Sequence, residues 1–273
     1  MIWPFKRRRR KQIARIEVSG AIDGSTRKHL LRAFKDLQEQ KFPALLLRIN
    51  SPGGTVGDSQ EIYSALVELQ KKVKIVASFG NISASGGVYI AMGCPHIMAN
   101  PGTITGSIGV ILRGNNLQQL LEKIGVSFTV IKSGPYKDIL GFDRPLSDAE
   151  RAILQSLIDS SYQQFVHTVA TARNLTEETV RTFADGRIFT GEQALELGLV
   201  DRLGTEDEAR RWLAELAGLD PEKTECITLE EPKPLVNRLL SNQIPGISPW
   251  IQGTKHLEFE LSTAGQPLWL YQP

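Results

Sequence analysis

Two apolar runs constrain the fold of this chain more than any other feature: residues 44–49, Ala-Leu-Leu-Leu-Arg-Ile, and residues 73–79, Val-Lys-Ile-Val-Ala-Ser-Phe. Both are nearly continuous, without the strict polar alternation of a half-exposed strand, so they read as parallel strands covered on both faces. Each is followed by a turn dense in glycine, Asn50-Ser-Pro-Gly-Gly54 and Asn81-Ile-Ser-Ala-Ser-Gly-Gly87, and each turn opens a helical stretch. The first such stretch carries Ile62, Leu66 and Leu69, and the second is the small-residue run 88–92. A third unit precedes them: residues 13–18 end at Ser19-Gly20, and residues 25–40 place Leu30, Leu31, Phe34 and Leu37 at helical spacing. Successive strand, loop and helix units demand a parallel sheet with right-handed crossovers, and such α/β sheets carry function at the carboxyl ends of their strands. Gly53, Gly54 and Ser85 fall on that edge.

Beyond Cys94-Pro95 come shorter pieces: apolar residues 96–99 and 108–112, a helix at 117–124 and a β-branched strand at 126–131. A long helix runs from Ser147 to about Arg173, opened by a Ser147/Glu150 capping box, with Ile153, Leu154, Leu157, Ile158, Phe165, Val166 and Val169 on one face. Thr190/Gln193 and Thr205/Glu208 are further boxes. The composition shifts at Glu230-Glu-Pro-Lys-Pro234, which divides the 273 residues into a basic tail (1–12), one large domain (13–229) and a C-terminal tail (230–273).

Lys and Arg number 32 against 30 for Asp and Glu, a balance that excludes nucleic acid as the main partner. The one basic cluster is the tip, Trp3 and Phe5 followed by six cations at 6–11, either a solvated end or a peripheral contact with anionic lipid. Its order is wrong for a secretory signal, and no run reaches the ~20 apolar residues of a span. The expected location is cytoplasmic, peripheral on the membrane at most. Cys94 and Cys226 form neither a disulfide framework nor a metal cluster.

Ser85 lies at a strand-to-helix turn. Gly86 and Gly87 leave bare N–H groups at a helix start, where an oxyanion is stabilised, although a tight Ser/Gly packing site would look the same. A serine nucleophile needs a base. The histidines are His29, His96, His167 and His256, and none follows a glycine-rich turn. Lys137, closing the loop Ser133-Gly-Pro-Tyr136, is the other candidate, with a surface ion pair to Asp138 as the alternative. A lysine amine ordinarily titrates near 10.4, so about one molecule in a few thousand is neutral at pH 7. Burial beside a hydroxyl such as Ser107 would bring an amine into working range.

Taken together, Asn50-Ser-Pro-Gly-Gly54, Ser83-Ala-Ser-Gly-Gly87, Thr105-Gly-Ser-Ile-Gly-Val110 and Ile131-Lys-Ser-Gly-Pro-Tyr-Lys137-Asp resemble, in order, the motifs of signal peptide peptidase A, or protease IV. Ala184-Asp-Gly-Arg187 and Gly198-Leu-Val-Asp201 extend the likeness downstream. The resemblance implies a Clp protease/crotonase-like fold of repeated strand-strand-helix units and a cofactor-independent, metal-free serine protease acting on unfolded apolar peptides. Ser85 is then the nucleophile, Lys137 the general base and Ser107 the hydroxyl that orients it. Gly54 and Gly86, with Gly53 beside them, supply oxyanion donors. The short form also implies a ring of identical subunits that complete one another's sites. Crotonase-like acyl-CoA chemistry and a non-catalytic membrane scaffold are the competing functions. The apolar end, Pro267-Leu-Trp-Leu-Tyr271, reads as an extended segment that adds to a sheet edge or lies in a groove, and it is expected to occupy the chain's own substrate groove, so that truncation at Gly265 raises activity.

Overall fold

The computed structural model describes residues 9–229 and 266–271. From the amino end, β1 (Ile13–Ser19) leads to α1 (Gly24–Glu39), whose first turn is held by the Asp23 carboxylate accepting from Thr26 N at 2.8 Å. β2 (Ala44–Ser51) and the short β3 (Gly53–Thr55) precede α2 (Val56–Leu69), and β4 (Lys74–Ala84) precedes α3 (Gly86–Ala91). β5 (His96–Ala99), β6 (Ile104–Gly106), α4 (Gln118–Lys123) and α5 (Asp148–Arg173) follow. The remainder comprises α6 (Glu177–Arg181), β7 (Ile188–Thr190), α7 (Gly191–Glu196), β8 (Arg202–Leu203), α8 (Glu206–Leu216), β9 (Cys226–Thr228) and β10 (Leu268–Leu270).

The main sheet runs β7-β6-β4-β2-β1-β9, parallel except where β6 meets β7. β4 is long enough to split its partners. Its first half pairs with β5, which pairs in turn with β8, and its second half pairs with β6. Both faces are covered, as the apolar runs require. Ala14, Ile16, Leu45, Leu47, Ile75 and Ala77 point into the main core, while Ile13, Ala44, Leu46 and Val76 meet Trp212 and Leu213 of α8 on the other side. Strict alternation along strands that are apolar on both faces is what makes the runs continuous.

The three predicted units, the long helix and its capping box, and the boxes at Thr190/Gln193 and Thr205/Glu208 are all present. The strand expected at 126–131 is not. That segment has no regular structure, and Phe128, Val130 and Ile131 are 53%, 52% and 97% exposed, because it finds no sheet edge to pair with in one chain. α5 is divided in the same way. Phe165, Val166 and Val169 are buried, whereas Ile153 and Leu157 on the same apolar face are each 43% exposed. The basic tip (1–8) and most of the C-terminal tail (230–265) lie outside the described residues, but the chain returns as β10.

Candidate active site

Ser85 occupies the turn between β4 and α3 with φ 51° and ψ −116°, a conformation that a residue with a Cβ adopts only when its surroundings hold it. Two backbone bonds do so. Ser85 N donates to Gly106 O at 2.8 Å, and Tyr89 N donates to Ser85 O at 2.9 Å. The parallel register Ala84↔Gly106 then sets Ser107 beside Ser85 at the ends of neighbouring strands. Ser107 is also left-handed, at φ 50°, with its N–H on Arg187 O at 2.7 Å. Both serines are buried.

The glycines converge on the same spot. Gly53 has φ +104°, and a Cβ there would lie 1.9 Å from Trp269 O and 2.6 Å from Gly86 N. A Cβ on Gly86 would lie 3.0 Å from Trp269 O and 3.1 Å from Gly54 N. No side chain fits at Gly53, and Gly86 is tight, with Ser59 Oγ at 2.9 Å as the nearest atom to a Cβ there, so the N–H groups of Gly54 and Gly86 share one small space with a peptide carbonyl. Gly54 is closed for a different reason, since its Cβ would meet Ile22 O at 1.9 Å.

That carbonyl belongs to β10, which lies antiparallel on β3 with Trp269 opposite Gly54. The flanking bonds, Val56 N to Pro267 O at 3.5 Å and Tyr271 N to Pro52 O at 2.7 Å, make Trp269–Gly54 a hydrogen-bonding pair of the ladder. On its other side Leu268 exchanges bonds of 3.0 and 2.9 Å with Ile111. Residues 268–270 are thus clamped as an extended strand across the site. The Trp269 side chain is fully buried, stacked on Tyr89 with centroids 4.0 Å apart and against Phe165 at 4.9 Å. Tyr63 completes this aromatic wall, 5.3 Å from Tyr89. Burial raises the pKa of both tyrosines, and Thr168 Oγ1 donates to Tyr89 OH at 3.2 Å. Sequence reasoning missed the wall of Tyr63, Tyr89 and Phe165 as a functional feature. The one available signal was Tyr89, a full turn after Ser85 on the same short helix.

Lys137 is placed differently. Its side chain is exposed, and among the described residues no hydrogen bond joins its amine to Ser85 or Ser107. The crowded pocket expected around it does not form in a single chain, because its loop follows the unpaired segment 126–131. The loop is nonetheless tied down. Asp138 accepts from Lys132 Nζ at 2.6 Å and from Arg144 Nη2 at 2.9 Å, and Arg144 Nη1 reaches Glu150 of the α5 capping box at 2.9 Å. Arg144 holds both carboxyls well below their usual range, Glu150 at about 2.

His96 is remote. It pairs with Val76 at the start of β4, eight residues before Ala84, roughly 26 Å along a strand. Its ring packs on Trp212 at 5.0 Å, and burial lowers its pKa. His167 is exposed, and His256 lies outside the described residues. Among the described residues there is no group of three metal-ligating side chains, and no helix long and apolar enough to cross a membrane.

Comparison with known proteins gives this geometry a family. The model of peptidase family S49 matches residues 67–220, and that of the Clp protease family matches residues 8–102. A Synechocystis sp. protein named as a protease is 69% identical over the whole of both chains. An Enterococcus faecium protein named as signal peptide peptidase SppA is 39% identical over 73% of this chain and 62% of its own, and Protease 4 of Salmonella typhi is 37% identical over 74% and 32%. Among solved structures, a point mutant of ClpP1 from Listeria monocytogenes matches with a TM-score of 0.51 at 16% identity, over 72% of this chain and 94% of that one. The fold is therefore ClpP-like, and the chain belongs to peptidase family S49, the signal peptide peptidase A family.

Proposed function

We propose that this peptidase is a serine endopeptidase in which Ser85 is the nucleophile and Lys137, supplied by a neighbouring copy, is the base. The observation that carries the reading is the carbonyl of Trp269, lodged between Gly53 and Gly86 beside a strained serine. A substrate carbonyl in that position would present its carbon to Ser85 Oγ. The lysine amine takes the hydroxyl proton as the bond to carbon forms, and the oxygen, now negative, accepts from the N–H groups of Gly54 and Gly86. Collapse expels the amine, which takes the proton back from the lysine. Water, deprotonated by the same lysine, then releases the acyl group. Ser107, adjacent to Ser85, is the hydroxyl that would hold the incoming amine.

A lysine from another copy accounts for three features together: the exposure of Lys137, the unpaired 126–131 segment before it, and the uncovered first half of α5. Each is a feature that a like subunit of a ring could cover. The substrates we assign are unfolded apolar peptides, such as signal peptides or membrane-protein fragments, cut at the cytoplasmic side, with residues 1–12 as a peripheral lipid contact.

Mixing tests this directly. Ser85→Ala and Lys137→Ala are each expected to be inactive on an unstructured apolar peptide, while the two co-assembled recover a fraction of wild-type activity. Activity in Lys137→Ala alone would remove the lysine from the chemistry. Failure of the mixed assembly would place both groups on one chain.

A further inference from the structure

The space under Ser85 has a shape and a lining that the catalytic groups alone do not require. Tyr89 from α3 and Phe165 from α5 pack on the Trp269 ring, whose exposure is zero, and Tyr63 from α2 backs Tyr89. The residue whose carbonyl lies against Gly53 and Gly86 is the same residue whose side chain enters this space. In an extended chain crossing a serine peptidase, that residue is the one on the acyl side of the bond to be cut.

We infer that the space walled by Tyr89 and Phe165, with Tyr63 behind Tyr89, selects the side chain on the acyl side of the cleaved bond, and that it selects a flat, fully apolar ring. The inference rests on the peptidase reading above and specifies its substrates.

The lining sets the preference. Stacking at 4.0 Å with 28° between planes rewards a ring over an aliphatic chain. No charged residue contributes to the wall, so a buried carboxylate or ammonium there would lack a counter-charge. The indole of Trp269 is itself an imperfect guest, because its Nε1–H is buried with no acceptor. Phenylalanine presents the same face without a donor to satisfy. The resident Trp269 thus marks the pocket and leaves it open to displacement by a better ring.

The test uses peptides identical except for one residue, Phe, Leu, Trp, Ala or Asp, with the cut located by mass spectrometry. They are offered to the wild-type chain and to full-length Trp269→Ala, in which the pocket is vacated. Phe is expected to give the highest kcat/KM in both, at least about 30-fold above Ala, with Trp below Phe and Asp uncut. Trp269→Ala raises the rate for every cleavable peptide without changing the order. The order in wild type stands even if that variant folds poorly. Comparable cleavage after Ala or Asp overturns the inference. Binding to Ser85→Ala, followed by anisotropy of labelled Phe and Ala peptides, separates the two readings. Preference for Phe in binding with no cleavage by wild type sustains the pocket and removes the peptidase mechanism, and equal binding removes the pocket.

Discussion

Replacing Gly53 with alanine tests the site where its geometry is tightest. The backbone at φ +104° is one that an L residue occupies at a cost of about 1–3 kcal/mol. The added methyl would lie 1.9 Å from Trp269 O and 2.6 Å from Gly86 N, and neither atom belongs to a flexible side chain. The β10 strand must therefore leave β3, and the Gly86 donor must shift. Loss of one oxyanion donor costs about 10²–10³ in kcat in a comparable site, and the methyl also occupies the space a substrate carbonyl needs. Gly53→Ala should lower kcat at least about 100-fold. At about 2–4 °C per kcal/mol for a chain of this size, the strain lowers the melting temperature by about 2–12 °C. Steady-state kinetics on an apolar peptide and a thermal melt read the two effects separately. Gly57→Ala is the control, since a Cβ there meets nothing within 4 Å and its φ is ordinary. A Gly53→Ala enzyme that melts as expected but keeps kcat within about tenfold of wild type would refute the assignment of this space to the reacting carbonyl.

Other perturbations address the parts around it. Ending the chain at Gly265 removes β10 and should raise peptidase activity, and an unchanged rate would show that the strand does not restrain the site. Arg144→Met unties the Lys137 loop from α5 and should cut kcat/KM by about tenfold to 100-fold, since misplacing a catalytic group by about 1 Å costs up to that scale, and should lower the melting temperature as well, because it strips the buried Glu150 carboxylate of its cation. The same tie depends on pH. Glu150 is depressed from its ordinary 4.5 to about 2, so its contribution is intact above pH 4.5 and is lost as pH falls toward 2, which limited proteolysis of the loop at about pH 3 and about pH 6 would register. His96→Gln should leave kcat within about twofold, because its ring serves the Trp212 side of the sheet, and a large loss would count against Lys137 as the base. Burial pushes the Cys226 thiol up to about 11 and raises Cys94 further, so a thiol reagent at neutral pH should label neither until the protein is denatured.

The parts that could be read from sequence are those whose physics is local. Ser147/Glu150, Thr190/Gln193 and Thr205/Glu208 announce helix starts because each box closes within three residues. Residues 44–49 and 73–79 announce a doubly covered sheet because both their faces must be apolar. The turn at Ser85 was legible because the serine stands between a strand run and glycines. What failed depended on partners elsewhere. The β-branched residues 126–131 have strand composition, but composition provides no edge, and the segment remains unpaired in one chain. The exposed setting of Lys137 in one chain follows from the same unpaired segment. The exposed half of α5 has the same apolar period as the buried half, so periodicity could not separate core from uncovered surface. Residues 267–271 were expected in a groove, but their register could not be foreseen. Setting Trp269 opposite Gly54 depends on how β3 and Ile111 sit relative to one another.

The divided helix α5 carries a consequence for how such an enzyme comes into being. Its second half builds the core and contributes Phe165 to the wall beneath Ser85, so one copy folds with the turn at Ser85 already strained and set. Its first half, with the loop that presents Lys137, faces outward. On the proposed mechanism, a newly synthesised copy is then a finished scaffold without proton-transfer chemistry. Hydrolysis begins only when enough copies accumulate to meet, and the rate per molecule falls on dilution. On that mechanism abundance itself would act as the safety catch, keeping an isolated copy from cutting the unfolded apolar chains it meets.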